Sequence, residues 1–133
     1  MIRHIGIVTT DVKESMEFYA IFGFKLQATK HENTSFIDRI SRLKDSGLLT
    51  LRLVNDDGEM IELLDYGKDT QGRHSSLFEI GLAHLSFTIS SFADYDECDL
   101  VLVTPPTIDP EGKAKVAFCV SPEGTFIELV EMI

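Results

Sequence analysis

Asp57-Gly-Glu-Met-Ile-Glu62-Leu-Leu-Asp65 and Glu123-Gly-Thr-Phe-Ile-Glu128-Leu-Val-Glu131 are two versions of one phrase: acidic, Gly, any residue, apolar, Ile, Glu, Leu, apolar, acidic. Upstream of each lies a second matched pair, His4-Ile-Gly-Ile-Val and His84-Leu-Ser-Phe-Thr. Each half of the chain thus opens on a strand with His near its start and closes on a turn and a strand with Glu at its middle. Internal self-similarity of this kind sets the fold reading before any local propensity does. The chain is read as an α+β fold made of two βαβββ modules that form a curled mixed sheet around a metal-binding cleft. His84 stands closer to Glu128 than His4 does to Glu62, so the second copy is the shorter one. The loss falls largely in its helix and in the loops that follow.

The local reading agrees with the repeat. Residues 2–9 are rich in β-branched side chains and read as a strand. Asp11 and Glu14 have capping-box spacing, Val12, Met16, Tyr19 and Ala20 follow at helical spacing, and Gly23 stands where a helix-ending glycine belongs, which predicts a helix over 11–22. Strands are expected at 24–30, 48–54 and 59–66, with a turn at 55–58. Residues 36–46 suit either a short helix or a lid-like excursion. Residues 67–79 are polar, glycine-bearing and without period. The second half reads as a strand at 82–89, one or two helical turns within 90–98, a brief apolar run at 100–104 ended by Pro105-Pro106, and strands at 113–120 and 125–131 around a turn at 121–124. The expected organisation is a single domain: module one at 1–66, a linker at 67–80, and module two at 81–133 with a shortened helix.

Strand alternation fixes where the repeated residues point. His4 shares a face with Gly6 and Val8, and His84 with Ser86 and Thr88. Glu62 opposes Ile61 and Leu63, and Glu128 opposes Ile127 and Leu129. In all four strands the bulky aliphatic residues lie opposite the His or Glu and suit packing under helices. The His and Glu side is expected to line the concave face. A single strand Glu is usually a solvated edge residue and a single strand His a structural one. Four at matched places are a different case. Two neutral imidazoles and two carboxylates make a complete donor set for a divalent cation, which also relieves the repulsion between carboxylates sharing one cavity. The expected metal ligands are therefore His4, Glu62, His84 and Glu128.

Composition narrows the partners. The chain has 133 residues, 44% of them hydrophobic, and a formal net charge of −10. That balance repels phosphate backbones and anionic membrane surfaces, so neither nucleic acid nor membrane is expected as a partner. Cys98 and Cys119 form no C-x-x-C and no disulfide framework, and both are expected to pack as small apolar side chains in a reducing compartment. No apolar run approaches a membrane span and the first residues have no signal-peptide plan, so a cytoplasmic location is expected.

The sequence resembles the vicinal oxygen chelate superfamily, which includes glyoxalase I, methylmalonyl-CoA epimerase, extradiol dioxygenases and the fosfomycin and bleomycin resistance proteins. The stretches that carry the resemblance are 4–19 with Phe22-Gly-Phe24, Ile61-Glu-Leu-Leu64, His84-Leu-Ser-Phe, and 116–131. The resemblance implies that the metal ligands fall on His4, Glu62, His84 and Glu128, similar to the two-His, two-Glu pattern of lactoylglutathione lyase. Dioxygenases of the superfamily use two His and one Glu and fit less well. The shortened second helix departs from the pattern, and the 36–46 segment is untypical of the smallest lyases.

Such a site implies a lyase, isomerase or epimerase, glyoxalase I-like or epimerase-like, working on a small vicinal-oxygen substrate through an enediolate-type intermediate. A divalent cation (Ni, Zn, Co, Mn or Fe) would be its cofactor, and Glu128 or Glu62 its base. The alternative is a non-catalytic protein that sequesters a small molecule of antibiotic type, with extradiol-type dioxygenation a further one. No feature identifies a glutathione or CoA site. Arg39, Arg42, Lys44, Arg73, Lys113 and Lys115 are loop cations available to a substrate anion, with solvated surface charge as the plainer reading. His31 and His74 lie in polar surroundings, and Tyr19 and Tyr66 are read as packing residues. A homodimer is expected, because a sheet this small leaves edges that superfamily members close by pairing.

Overall fold

A computed structural model describes residues 1–72 and 76–133, and the chain divides into two compact units, Met1–Gly72 and Arg73–Ile133. Arg73 and His74 lie outside the described residues. The architecture is α+β: each unit carries one open, four-stranded mixed sheet.

In the first unit the order of elements is β1 (Ile5–Val8), α1 (Val12–Ala20), β2 (Lys25–His31), α2 (Thr34–Ser41), β3 (Leu49–Val54) and β4 (Met60–Asp65). The sheet runs β1-β4-β3-β2, with β1 parallel to β4 and the other neighbours antiparallel. Helix α1 starts where the sequence places it: the Asp11 carboxylate accepts the Glu14 N–H at 3.0 Å. It stops two residues short of the expected end. The Gly23 N–H reaches the Ala20 carbonyl and the Phe24 N–H the Tyr19 carbonyl, with Gly23 at φ 84°, a left-handed conformation that closes the last turn. The buried face is also rotated from the expected one: Ser15, Phe18 and Tyr19 are buried, while Ala20 is exposed. Ser15 tolerates burial because its hydroxyl bonds the Thr9 hydroxyl at 2.8 Å.

Alternation then builds the core. Ile7, Leu51, Leu53, Ile61 and Leu63 are all buried on the face where α1 packs against β4 and β2. Tyr19, fully buried, is a core residue, as its helical spacing suggests. The ambiguous 36–46 stretch resolves into α2, capped by the Asn33 side chain on the Phe36 N–H at 3.0 Å. Arg42 (φ 59°) ends it, and Asp38 accepts the Asp45 and Ser46 N–H groups to tie down the following turn.

The second unit contains β5 (His84–Ile89), a 3₁₀ turn (Phe92–Tyr95), β6 (Thr107–Ile108), β7 (Ala114–Val120) and β8 (Phe126–Met132), in the sheet order β5-β8-β7-β6. Its pairing copies the first sheet: β5 parallel to β8, the rest antiparallel. Where the first unit has a helix of nine residues after its first strand, the described residues of this one have a four-residue 3₁₀ turn. Glu131 anchors that turn. Its Oε2 accepts the Phe92 N–H at 2.8 Å and its Oε1 the Lys115 ammonium at 3.2 Å, which holds the carboxyl below its ordinary range.

The apolar run at 100–104 forms no strand of its own. It meets β7 through a bridge between Leu102 and Cys119 and a Val103 N–H bond to the Phe118 carbonyl, and the edge strand follows Pro105-Pro106. Proline has no N–H to donate to a ladder, so the strand begins beyond the pair. Leu85, Ile89, Ala117, Cys119, Ile127 and Leu129 are buried apolar residues of this sheet. Burial pushes the Cys119 thiol up to about 11, whereas Cys98 is only half-buried. No helix among the described residues is long and apolar enough to cross a membrane.

Candidate metal-binding residues

Each sheet positions its His and Glu by the same register. In the first, the parallel pairing sets Gly6 opposite Glu62, and His4 stands two residues earlier on the same face. In the second, Ser86 is opposite Glu128, and His84 again stands two residues earlier. The diagonal brings an imidazole to a carboxylate in both. His4 Nε2 lies 3.3 Å from Glu62 Oε2, and His84 Nε2 lies 3.0 Å from Glu128 Oε2. On the opposite faces Ile61, Leu63, Ile127 and Leu129 are buried, as alternation requires.

One nitrogen and one oxygen are thus offered at the same place in each unit. Donors about 2.1 Å from a cation and at right angles stand about 3 Å apart, so the separation within each pair fits neighbouring ligands of one ion. The structure brings the four expected ligands together as two pairs. Among the described residues no group of three or more His, Cys, Asp or Glu side chains forms a metal-holding cluster.

Two further residues, passed over in the sequence, distinguish the pairs. Arg52 is opposite Glu62 in the antiparallel pairing of β3 with β4, and its Nε and Nη2 both donate to Glu62 Oε1, at 3.3 and 3.2 Å. The same position in the second sheet, opposite Glu128, holds Phe118. Its ring stands edge-on to His84, with centroids 5.2 Å apart at 88°. Glu62 is therefore held through both oxygens, by His4 and Arg52. Among the described residues Glu128 is held through one, by His84. The signal for both was available: Arg52 precedes Glu62 and Phe118 precedes Glu128 by the same interval across matching hairpin turns.

Among the described residues the loop cations do not gather at either pair. Lys113 binds Glu111 at 2.7 Å, Lys115 binds Glu131, and Arg39, Arg42 and Lys44 are exposed, as is His31. A cavity of about 230 Å³ in the second unit, lined by Phe92, Tyr95, Cys98 and Leu102 among others, includes neither His84 nor Glu128.

Comparison with known proteins places the fold. The model of the glyoxalase/bleomycin resistance protein/dioxygenase superfamily matches residues 1–125. Among solved structures, a glyoxalase family protein from Bacillus cereus superposes with a TM-score of 0.87 at 17% identity, covering 99% of this chain and 93% of that one. The trypanothione-dependent glyoxalase I of Leishmania major gives 0.68 at 19% identity, with 98% and 86% covered. A genomically encoded fosfomycin resistance protein from Listeria monocytogenes gives 0.68 at 12% identity, with 100% and 94% covered. At these identities the likeness is one of fold. No curated protein matches the chain in sequence. The match over residues 1–125, together with a fold shared along nearly the whole length, means that the chain belongs to the glyoxalase/bleomycin resistance protein/dioxygenase superfamily.

Proposed function

We propose that this protein is a divalent-metal-dependent lyase, isomerase or epimerase acting on a small substrate with two neighbouring oxygens. His4, Glu62, His84 and Glu128 supply the ligands, within one chain or across two copies. The observation that carries this reading is the repeated pair: the same His-to-Glu diagonal, with Nε2 and Oε2 about one ligand spacing apart, in both units. When bound, a divalent cation supplies Lewis-acid polarisation of a substrate oxygen and makes the neighbouring C–H acidic.

The proton is the task of a carboxylate, and the two are not equivalent. Arg52 occupies Oε1 of Glu62, whereas Phe118 has no donor to offer Glu128. Glu128 keeps an oxygen without a protein donor among the described residues and is the base in this reading. Glu62 remains the fixed ligand.

Elemental analysis of the purified protein, paired with turnover assays on the methylglyoxal-derived hemithioacetal and on 2-methylmalonyl-CoA, tests the proposal. About one divalent ion per tetrad and turnover of a vicinal-oxygen substrate are expected. Failure to take up any divalent metal at micromolar concentration near neutral pH would refute the metal site. Metal-free capture of a small molecule without turnover would establish sequestration instead. A homodimer belongs to the same reading, and monomeric light scattering throughout the micromolar range would remove it.

A further inference from the structure

From the place of Arg52 beside Glu62 we infer that this site selects a substrate whose vicinal oxygens carry negative charge, of the 2-hydroxy- or 2-oxo-carboxylate class, and that Arg52 is the residue that imposes the selection. The inference rests on the metal-site reading above. It begins with charge. Two neutral imidazoles, two carboxylates and a divalent cation sum to zero. Arg52 adds one positive charge, and its acceptor among the described residues is Glu62, already counted as a ligand.

The row across the first sheet shows that the charge is accessible. It reads Gly6, Glu62, Arg52, Ala28 on adjacent strands, so the charged pair is flanked on both sides by the two smallest side chains. The Arg52 side chain is 37% exposed, and among the described residues its hydrogen bonds run through Nε and Nη2, which leaves Nη1 to meet a ligand. The corresponding place in the second sheet is taken by Phe118, so the cation is a property of one copy of the repeat and does not follow from the strand pattern. Lys30 and Lys25, the other bases that the register of β2 with β3 brings to this face, are paired with Glu32 at 2.8 Å and with Asp56 at 3.5 Å.

The test uses Mn²⁺-loaded full-length protein and two probes of equal shape, lactate and its neutral isostere lactamide. Displacement of metal-bound water is followed by proton relaxation. Wild type should favour lactate. Arg52→Met and Arg52→Gln, read in parallel in case one folds poorly, should each reduce the lactate-to-lactamide preference by about tenfold, the size expected for one unit charge at close range under partial screening. Both should hold Mn²⁺ at least as tightly as wild type, because a competing cation has been removed. Arg52→Lys should keep most of the preference. An unchanged preference in Arg52→Met and Arg52→Gln would overturn the inference and leave Arg52 as a cross-strand ion pair. If wild type takes up no Mn²⁺, or His84→Ala takes it up equally well, the metal-site reading fails and this inference with it.

Discussion

Replacing Glu128 by Gln and, separately, Glu62 by Gln should produce opposite phenotypes, although the two residues stand at the same place in the repeat. Glu62 is 13% exposed and receives two hydrogen bonds from Arg52, itself 37% exposed. Substitution by an amide leaves the guanidinium without its counter-charge in a partly desolvated row. With allowance for solvent screening, that loss is about 1 kcal/mol. In a chain of this size it lowers the melting temperature by about 3–5 °C. Glu128 faces His84 and an aromatic ring, with no Lys or Arg bonded to it among the described residues, and its strand is held from the other face by the fully buried Ile127 and Leu129. Glu128→Gln should melt within about 1 °C of wild type. Turnover should divide the other way. Loss of a general base typically costs about 10²–10⁴ in rate, so Glu128→Gln should be nearly inactive while folded. Differential scanning calorimetry, metal content and turnover of whichever substrate the wild type accepts are the measurements. Equal melting temperatures for the two variants would show that the Arg52–Glu62 pair does not hold in solution. Near-full rates with metal retained in both would mean that neither carboxylate is the base.

His84→Ala should lose divalent-metal affinity before anything else, read by calorimetric titration; full retention would remove His84 from the ligand set. Glu131 gives a pH dependence. Its folded pKa is depressed, chiefly by the Phe92 N–H, so its stabilisation is present above the ordinary carboxylate range and lost as pH falls through the depressed value. Glu131→Gln should flatten that acid limb of the melting-temperature profile, and an unaltered limb would count against the anchor. Cys119, fully buried with its thiol near 11, should resist aromatic disulfide reagents near neutral pH in the native protein while Cys98 reacts; fast labelling of both would contradict the packing of β7.

The repeat, the strand faces and the two His–Glu pairs were legible in the sequence, because alternation and turn chemistry are local. A Glu between Ile and Leu in a half-buried strand has only one way to point, and doubling the motif doubles the inference. Helix α1 was legible for the same reason, through Asp11 and Gly23, although its buried face was not: Ser15 goes inward only because Thr9, in the loop after β1, supplies a hydroxyl partner. The second unit's fourth strand was also beyond local reading, since a two-residue edge strand is defined by its neighbour β7 and not by its own composition. What tertiary structure decided is the inequality of the two carboxylates: the matched intervals from Arg52 to Glu62 and from Phe118 to Glu128 hint at it, and the hairpin register turns them into contacts. The repeated motif presents Glu62 and Glu128 as equals. Strand pairing sets Arg52 against one and Phe118 against the other, and a side chain on a neighbouring strand is a contact that no single strand's pattern contains.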